Sequence, residues 1–189
     1  MNGGWVMTGL GVLLAAGVQA ADGSATIDSS AAGYQGVVMI NQASGELQQQ
    51  VNARAVSAGA MPTLNVEQHR DGLTAADAGV DLGASIHGAS FSGGSGVLGI
   101  NQGAGAGNQQ INGFRLGAAA RPESLDDQVL AQSAAGASFS SAVEPPGAGE
   151  RLVEIDDRAF SGSRGVVQLN QGAGVGNRMV NNLGIRIVE

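Results

Sequence analysis

Side chains able to do acid–base, nucleophilic or metal chemistry are few in this sequence, and they are poorly spaced for it. His69 and His87 are its two histidines. They sit well apart in a linker, without metal-ligand spacing, so they read as solvated side chains. Asp126-Asp127 and Asp156-Asp157 are adjacent pairs. Neighbours in an extended strand point to opposite faces, so neither pair forms a two-carboxylate catalytic site. Gly103–Gly107 and Gly172–Gly176 have the composition of phosphate loops, but no evident helix follows and the chain has no lysine. The same corners lack the aspartates of calcium-binding β-rolls. No nucleophile-elbow motif surrounds any serine, and there is no cysteine to form a disulfide. These residues give no enzyme, no cofactor and no metal site. A net charge of −7 without basic-aromatic patches also argues against nucleic acid as a partner.

The side chains that do recur are amides. Asn41-Gln42, Asn101-Gln102 and Asn170-Gln171 occupy equivalent positions in three copies of one unit. So do Asn52, Asn112 and Asn181, while Gln50 and Gln110 form a further pair, as do Asn108 and Asn177. The only chemistry open to such groups is hydrogen bonding. Amides at fixed positions are costly in an ordinary core. They make sense when identical segments stack ~4.8 Å apart and each amide bonds to its counterparts above and below.

The unit that positions them spans 36–57, 96–117 and 165–187. The copies open at Gly36, Gly96 and Gly165 and align without a gap. Self-similarity on this scale indicates a repeat architecture. The first arm alternates with period two and is rich in β-branched residues, as a strand requires. Val38 and Ile40, Leu98 and Ile100, and Val167 and Leu169 mark one apolar face, read as inward. A corner of small residues follows, with Gly45, Gly105 and Gly174 coincident to permit a sharp reversal. The second arm adds Val51, Ile111 and Val180 to the apolar set. Val56, Leu116 and Ile185 lie five residues beyond these, an odd spacing that breaks the alternation and predicts a bulge or bend near Ala53 and Gly113. The fold expected is all-β: three strand-turn-strand repeats stacked as a β-solenoid or cross-β arrangement, joined by largely disordered linkers.

The run Asn101-Gln-Gly-Ala-Gly-Ala-Gly-Asn108-Gln-Gln110-Ile-Asn112 resembles the repeat of the Fap-type bacterial functional amyloids, and more distantly the Gln/Asn-spaced repeats of curli subunits. The first copy departs from it at Ser44 and Gln48, and the third at Met179. The resemblance implies export through the periplasm and outer membrane. It also implies partners among fibre subunits and the outer-membrane secretion machinery, and extracellular fibres in a biofilm. Fibre subunits of that family carry a C-terminal Cys-x-x-Cys, absent here, so minor subunit, nucleator and accessory protein all stay open.

Residues 1–20 read as a secretory signal. Trp5–Val18 is too short an apolar run to span a bilayer, and Val18-Gln19-Ala20 suits cleavage. No second membrane segment follows. Residues 21–35 are a small-residue lead-in, and 58–95 and 118–164 are acidic linkers holding every proline. Within the second linker, Arg121–Gln132 has the early proline and first-turn acids of a short helix. Phe91-Ser-Gly and Phe160-Ser-Gly precede their repeats by equal distances. The repeats hold Glu46 against Arg54, Arg115, Arg178 and Arg186, a net of +3, so the rest of the chain carries −10. Acidic linkers around sticky segments keep monomers apart. Three units leave two open strand edges. The expected behaviour is a soluble, mostly disordered precursor that orders on assembly, with a folded adhesin or an accessory factor as the alternative.

Overall fold

The computed structural model describes residues 23–58, 62–71, 80–118, 130–135 and 149–187. The leader read at 1–20 lies outside them. The described residues are all-β, with parallel sheets and no closed barrel. The first arms are β2 (Gln35–Ser44), β6 (Ser95–Ala104) and β10 (Arg164–Ala173). The second arms are β3 (Gln49–Ser57), β7 (Gln109–Ala118) and β11 (Arg178–Ile187). Each set forms its own parallel sheet, with the strand of the second copy between the other two. The register is residue for residue. Gly36, Gly96 and Gly165 align, as do Asn41, Asn101 and Asn170, and Val51, Ile111 and Val180.

The corners explain why glycine recurs there. Gly45, Gly105 and Gly174 have φ of 102°, 110° and 141°. A Cβ on Gly45 would overlap the carbonyl of Gly105, and one on Gly105 would overlap that of Gly174. Left-handed backbone and a close approach of neighbouring copies therefore both exclude a side chain.

The described parts of the lead-in and linkers include strands. A third sheet forms from β1 (Ser24–Asp28), β5 (Leu82–His87) and β9 (Arg151–Ile155), parallel and with β5 in the middle. A two-stranded sheet pairs β4 (Val66–Asp71) with β8 (Leu130–Ala135). Leu130, Ala131 and Gln132, expected in a short helix, belong to β8; residues 121–129 of that segment lie outside the description. The linker strands order because the first arms present an apolar face that needs a cover. Ile27, Tyr34, Ile86, Phe91, Leu98 and Ile100 form one buried cluster, with Val38, Ile40 and Leu169 packed against it. The Phe91 and Phe160 rings stack at 5.4 Å between centroids.

Of the expected bulge or bend, a bulge between neighbouring copies is absent from these strands, and a bend common to all copies would leave their pairing unchanged. Asn52, Ala53 and Arg54 pair with Asn112, Gly113 and Phe114, and those with Asn181, Asn182 and Leu183, without an inserted residue. The odd spacing recurs in every copy, so no strand needs an extra residue against its neighbour. The apolar face of the first arms meets the linker sheet. Val38, Ile40, Leu98, Ile100, Val167 and Leu169 lie on the side of the linker sheet, not of the second arm. Val51, Ile111 and Val180 lie on the opposite side of their strands from Asn52, Asn112 and Asn181, which face the first arm. Val167 and Val180 are 43% and 44% exposed, because they lie on the outermost strands.

Candidate functional site

The two arms of each copy meet through amides. Asn52, Asn112 and Asn181 donate from Nδ2 to the carbonyls of Ile40, Ile100 and Leu169 at 2.9, 2.9 and 3.1 Å. Asn101 and Asn170 donate to the second arm of the preceding copy, at the carbonyls of Val51 and Ile111, at 2.9 and 3.0 Å. Gln50 and Gln110 donate to the carbonyls of Gln42 and Gln102 at 2.8 and 3.0 Å. The core between the arms is therefore polar. In an apolar medium an unmade amide bond costs several kcal/mol, and pairing removes that penalty. Asn101, Gln102, Asn108 and Gln110 are fully buried, and all four are hydrogen-bonded.

The same side chains bond between copies. Asn101 donates to Asn41 at 2.9 Å and Asn170 to Asn101 at 3.0 Å. Asn112 donates to Asn52, and Asn181 to Asn112, both at 2.9 Å. Gln102 donates to Gln42, and Gln171 to Gln102, both at 2.8 Å. The glutamine column faces the linker sheet and ties it down. Gln42 donates to Thr26 O, Gln102 to Ala25 O and Ser85 O, and Gln171 to Ala84 O and Glu154 O. Gln50 donates to Gln110 Oε1 at 2.8 Å, and Met179 ends that column. At the corner, Asn108 donates to Ala104 O and Gly174 O, and its Oδ1 accepts the Asn177 backbone N–H.

Several amides outside the sequence-derived set join this network. Gln48 donates across the corner to Ser44 O and Gly105 O, both at 2.9 Å. Gln109 donates to Gln49 at 2.8 Å; the third copy has Arg178 there, which masks the recurrence. Gln132 donates to Gln68 at 2.8 Å, linking β8 to β4. That pair lies in the linkers, where no repeat pattern pointed to it.

Among the described residues, the charged groups form no site of their own. Asp28 pairs in register with His87, and Asp156 follows the Ile86–Ile155 pair in the same sheet. Asp156 is held well below the usual carboxylate range by hydrogen bonds from the Arg158 side chain, then by the backbone N–H groups of Arg158 and Gly88. His69 lies in β4 and His87 ends β5. Among the described residues, no group of three His, Asp or Glu side chains is placed to hold a metal ion.

Parallel strands in residue-for-residue register, with amide columns between identical segments, are the bonding pattern of amyloid-type β proteins. The chain belongs to the functional amyloid protein FapB/FapC family, which it matches over residues 13–188. No solved structure matches it.

Proposed function

We propose that this chain is an exported structural component of extracellular biofilm fibres. Its three copies stack as the rungs of a β-solenoid, and molecules add rung upon rung into a cross-β fibril. The observation that carries this reading is the set of amide columns through all three copies, with backbone pairing left open on the outermost strands. Burial follows the same plan. Leu98, Ile100 and Ile111 of the second copy are fully buried, whereas Val56 and Ile187 of the outer copies are 65% and 54% exposed. Family membership supports self-association with fibre subunits and an extracellular matrix location. Passage through the periplasm by an outer-membrane secretion system is part of the proposal, as is cleavage of the leader at 1–20. Incubated mature chain is expected to bind thioflavin and to give a meridional fibre reflection at ~4.7 Å. Persistent monomer, with or without fibre seeds, would sink the reading.

The second reading is a folded β-solenoid adhesin or a non-fibrillar accessory factor of the same system. The closed apolar cluster around Ile86 and Phe91 favours it, since one chain already supplies every residue of that core. Far-UV circular dichroism on fresh, dilute monomer separates the two. A strong β spectrum with no fibres after incubation favours the folded module.

A further inference from the structure

The hydrogen bonds between copies have a direction, and the direction makes the two outer edges unlike. In the Gln42, Asn41 and Asn52 columns, each copy donates to the copy before it. Gln171 donates to Gln102 and Gln102 to Gln42; Asn170 donates to Asn101 and Asn101 to Asn41. Backbone carbonyls of the preceding copy accept from the same groups. Gln102 reaches Ala25 O and Gln171 reaches Ala84 O, while Asn101 reaches Val51 O and Asn170 reaches Ile111 O. At the corner, and at Gln50, which donates forward to Gln110 Oε1, the direction is opposite. Gln48 donates forward to Gly105 O and Asn108 forward to Gly174 O.

The pattern leaves a remainder at each end. On the third copy, Gln171 Oε1 is buried and has no partner. Continuing the columns, Val153 O and Val180 O stand where Ala84 O and Ile111 O accept in the copy before. On the first copy, Gln42 reaches a single acceptor, Thr26 O, where Gln102 reaches three. Asn41 Nδ2 reaches only Gln50 O, at 3.4 Å. In these columns one end is thus rich in acceptors and the other in spare N–H groups.

We infer that the partner of each end is the opposite end of a second copy of this chain. The third repeat of one molecule receives the first repeat of the next. Gln42 of the incoming chain donates to Gln171 Oε1 and Val153 O, and its Asn41 donates to Asn170 Oδ1 and Val180 O. Asn177 donates forward to its Gly45 O. The aliphatic columns close in the same register, Ile155 on Ile27 and Val180 on Val51. Like ends would face acceptor to acceptor or N–H to N–H in these columns. Contacts of this heterologous kind do not close, so they build a filament with unlike tips. The inference rests on the fibre reading and adds its polarity.

Single-cysteine variants test it, because the chain has no cysteine of its own. Glu46 and Val175 belong to one corner column at opposite ends, separated by Ala106. Stacking third repeat on first brings Glu46→Cys of one molecule about 4.8 Å from Val175→Cys of the next, within disulfide reach. Fibres grown from a mixture of the two variants and oxidised are expected to yield heterodimers on non-reducing gels. Fibres of either variant alone are expected to yield none. Homodimers from a single variant, or no heterodimer from the mixture, would overturn the polarity. Thr26→Cys with Glu154→Cys, paired columns of the linker sheet, repeats the test if the corner pair blocks assembly. Absence of fibres from the unmodified chain sinks the fibre reading itself, so the two failures are told apart.

Discussion

Gln102 bonds to three acceptors at once, Gln42 Oε1, Ala25 O and Ser85 O. Truncating it removes all three bonds, each worth about 1 kcal/mol net. Asn112 similarly serves Asn52, Asn101 and Ile100 O. Gln102→Ala with Asn112→Ala is expected to slow thioflavin-monitored fibre growth by an order of magnitude or more. Ala at His69 or His87 is expected to change it far less. Equal effects would mean that the amides do not align the chains. Gly105 sets a second limit at this scale. Gly105→Ala places a methyl group against the Gly174 carbonyl on a backbone with φ of 110°. Strain of this kind costs about 1–3 kcal/mol. The expected result is a lower urea concentration for fibre dissolution; an unchanged midpoint would show that the corner relaxes freely.

Between residue and molecule stands the linker sheet, the element that the sequence hid. Ile27, Ile86 and Ile155 align in it, but the step from Ile27 to Ile86 is one shorter than the step from Ile40 to Ile100 in the arms. One extra residue ahead of the second arm pair therefore displaces the column from a gapless alignment. Short strands such as Ser24–Asp28 and Leu82–His87 carry little pattern of their own. They order because the first arms need covering and the Gln42, Gln102 and Gln171 amides bond their carbonyls. Ile86 is fully buried at the centre of the apolar cluster. Ile86→Ala is expected to cost about 2–5 kcal/mol. Hydrogen exchange in assembled protein should then quicken across both β5 and β6. Faster exchange in β5 alone would mean that the arms stand without their cover.

At the scale of the molecule, charge decides how readily chains approach. The net charge is −7, and the acids lie chiefly outside the repeats. Protonating carboxylates near their usual pKa of ~4 reduces this repulsion. The thioflavin lag is expected to shorten from pH 7 to pH 4.5, and an unchanged lag would contradict the repulsion argument. Asp156 acts in the other direction. Its folded pKa is depressed by Arg158, so its contribution is present above the unfolded carboxylate pKa and is lost as pH falls below it. Arg158 is 72% exposed, so solvent screens the pair and repulsion governs the profile. Asp156→Asn is expected to leave the lag at pH 4.5 nearly unchanged.

Alternation in the arms, glycine at the corners and the gapless alignment of three copies were enough to establish an all-β chain of the functional amyloid type. Period two separates two faces of a strand, but it does not say which neighbour each face meets. Only the tertiary structure put Leu98 and Ile100 against linker strands and Asn101 against Asn112. That choice depends on partners distant in sequence and on amides whose burial is tolerable only when every bond is made. Local spacing records neither condition.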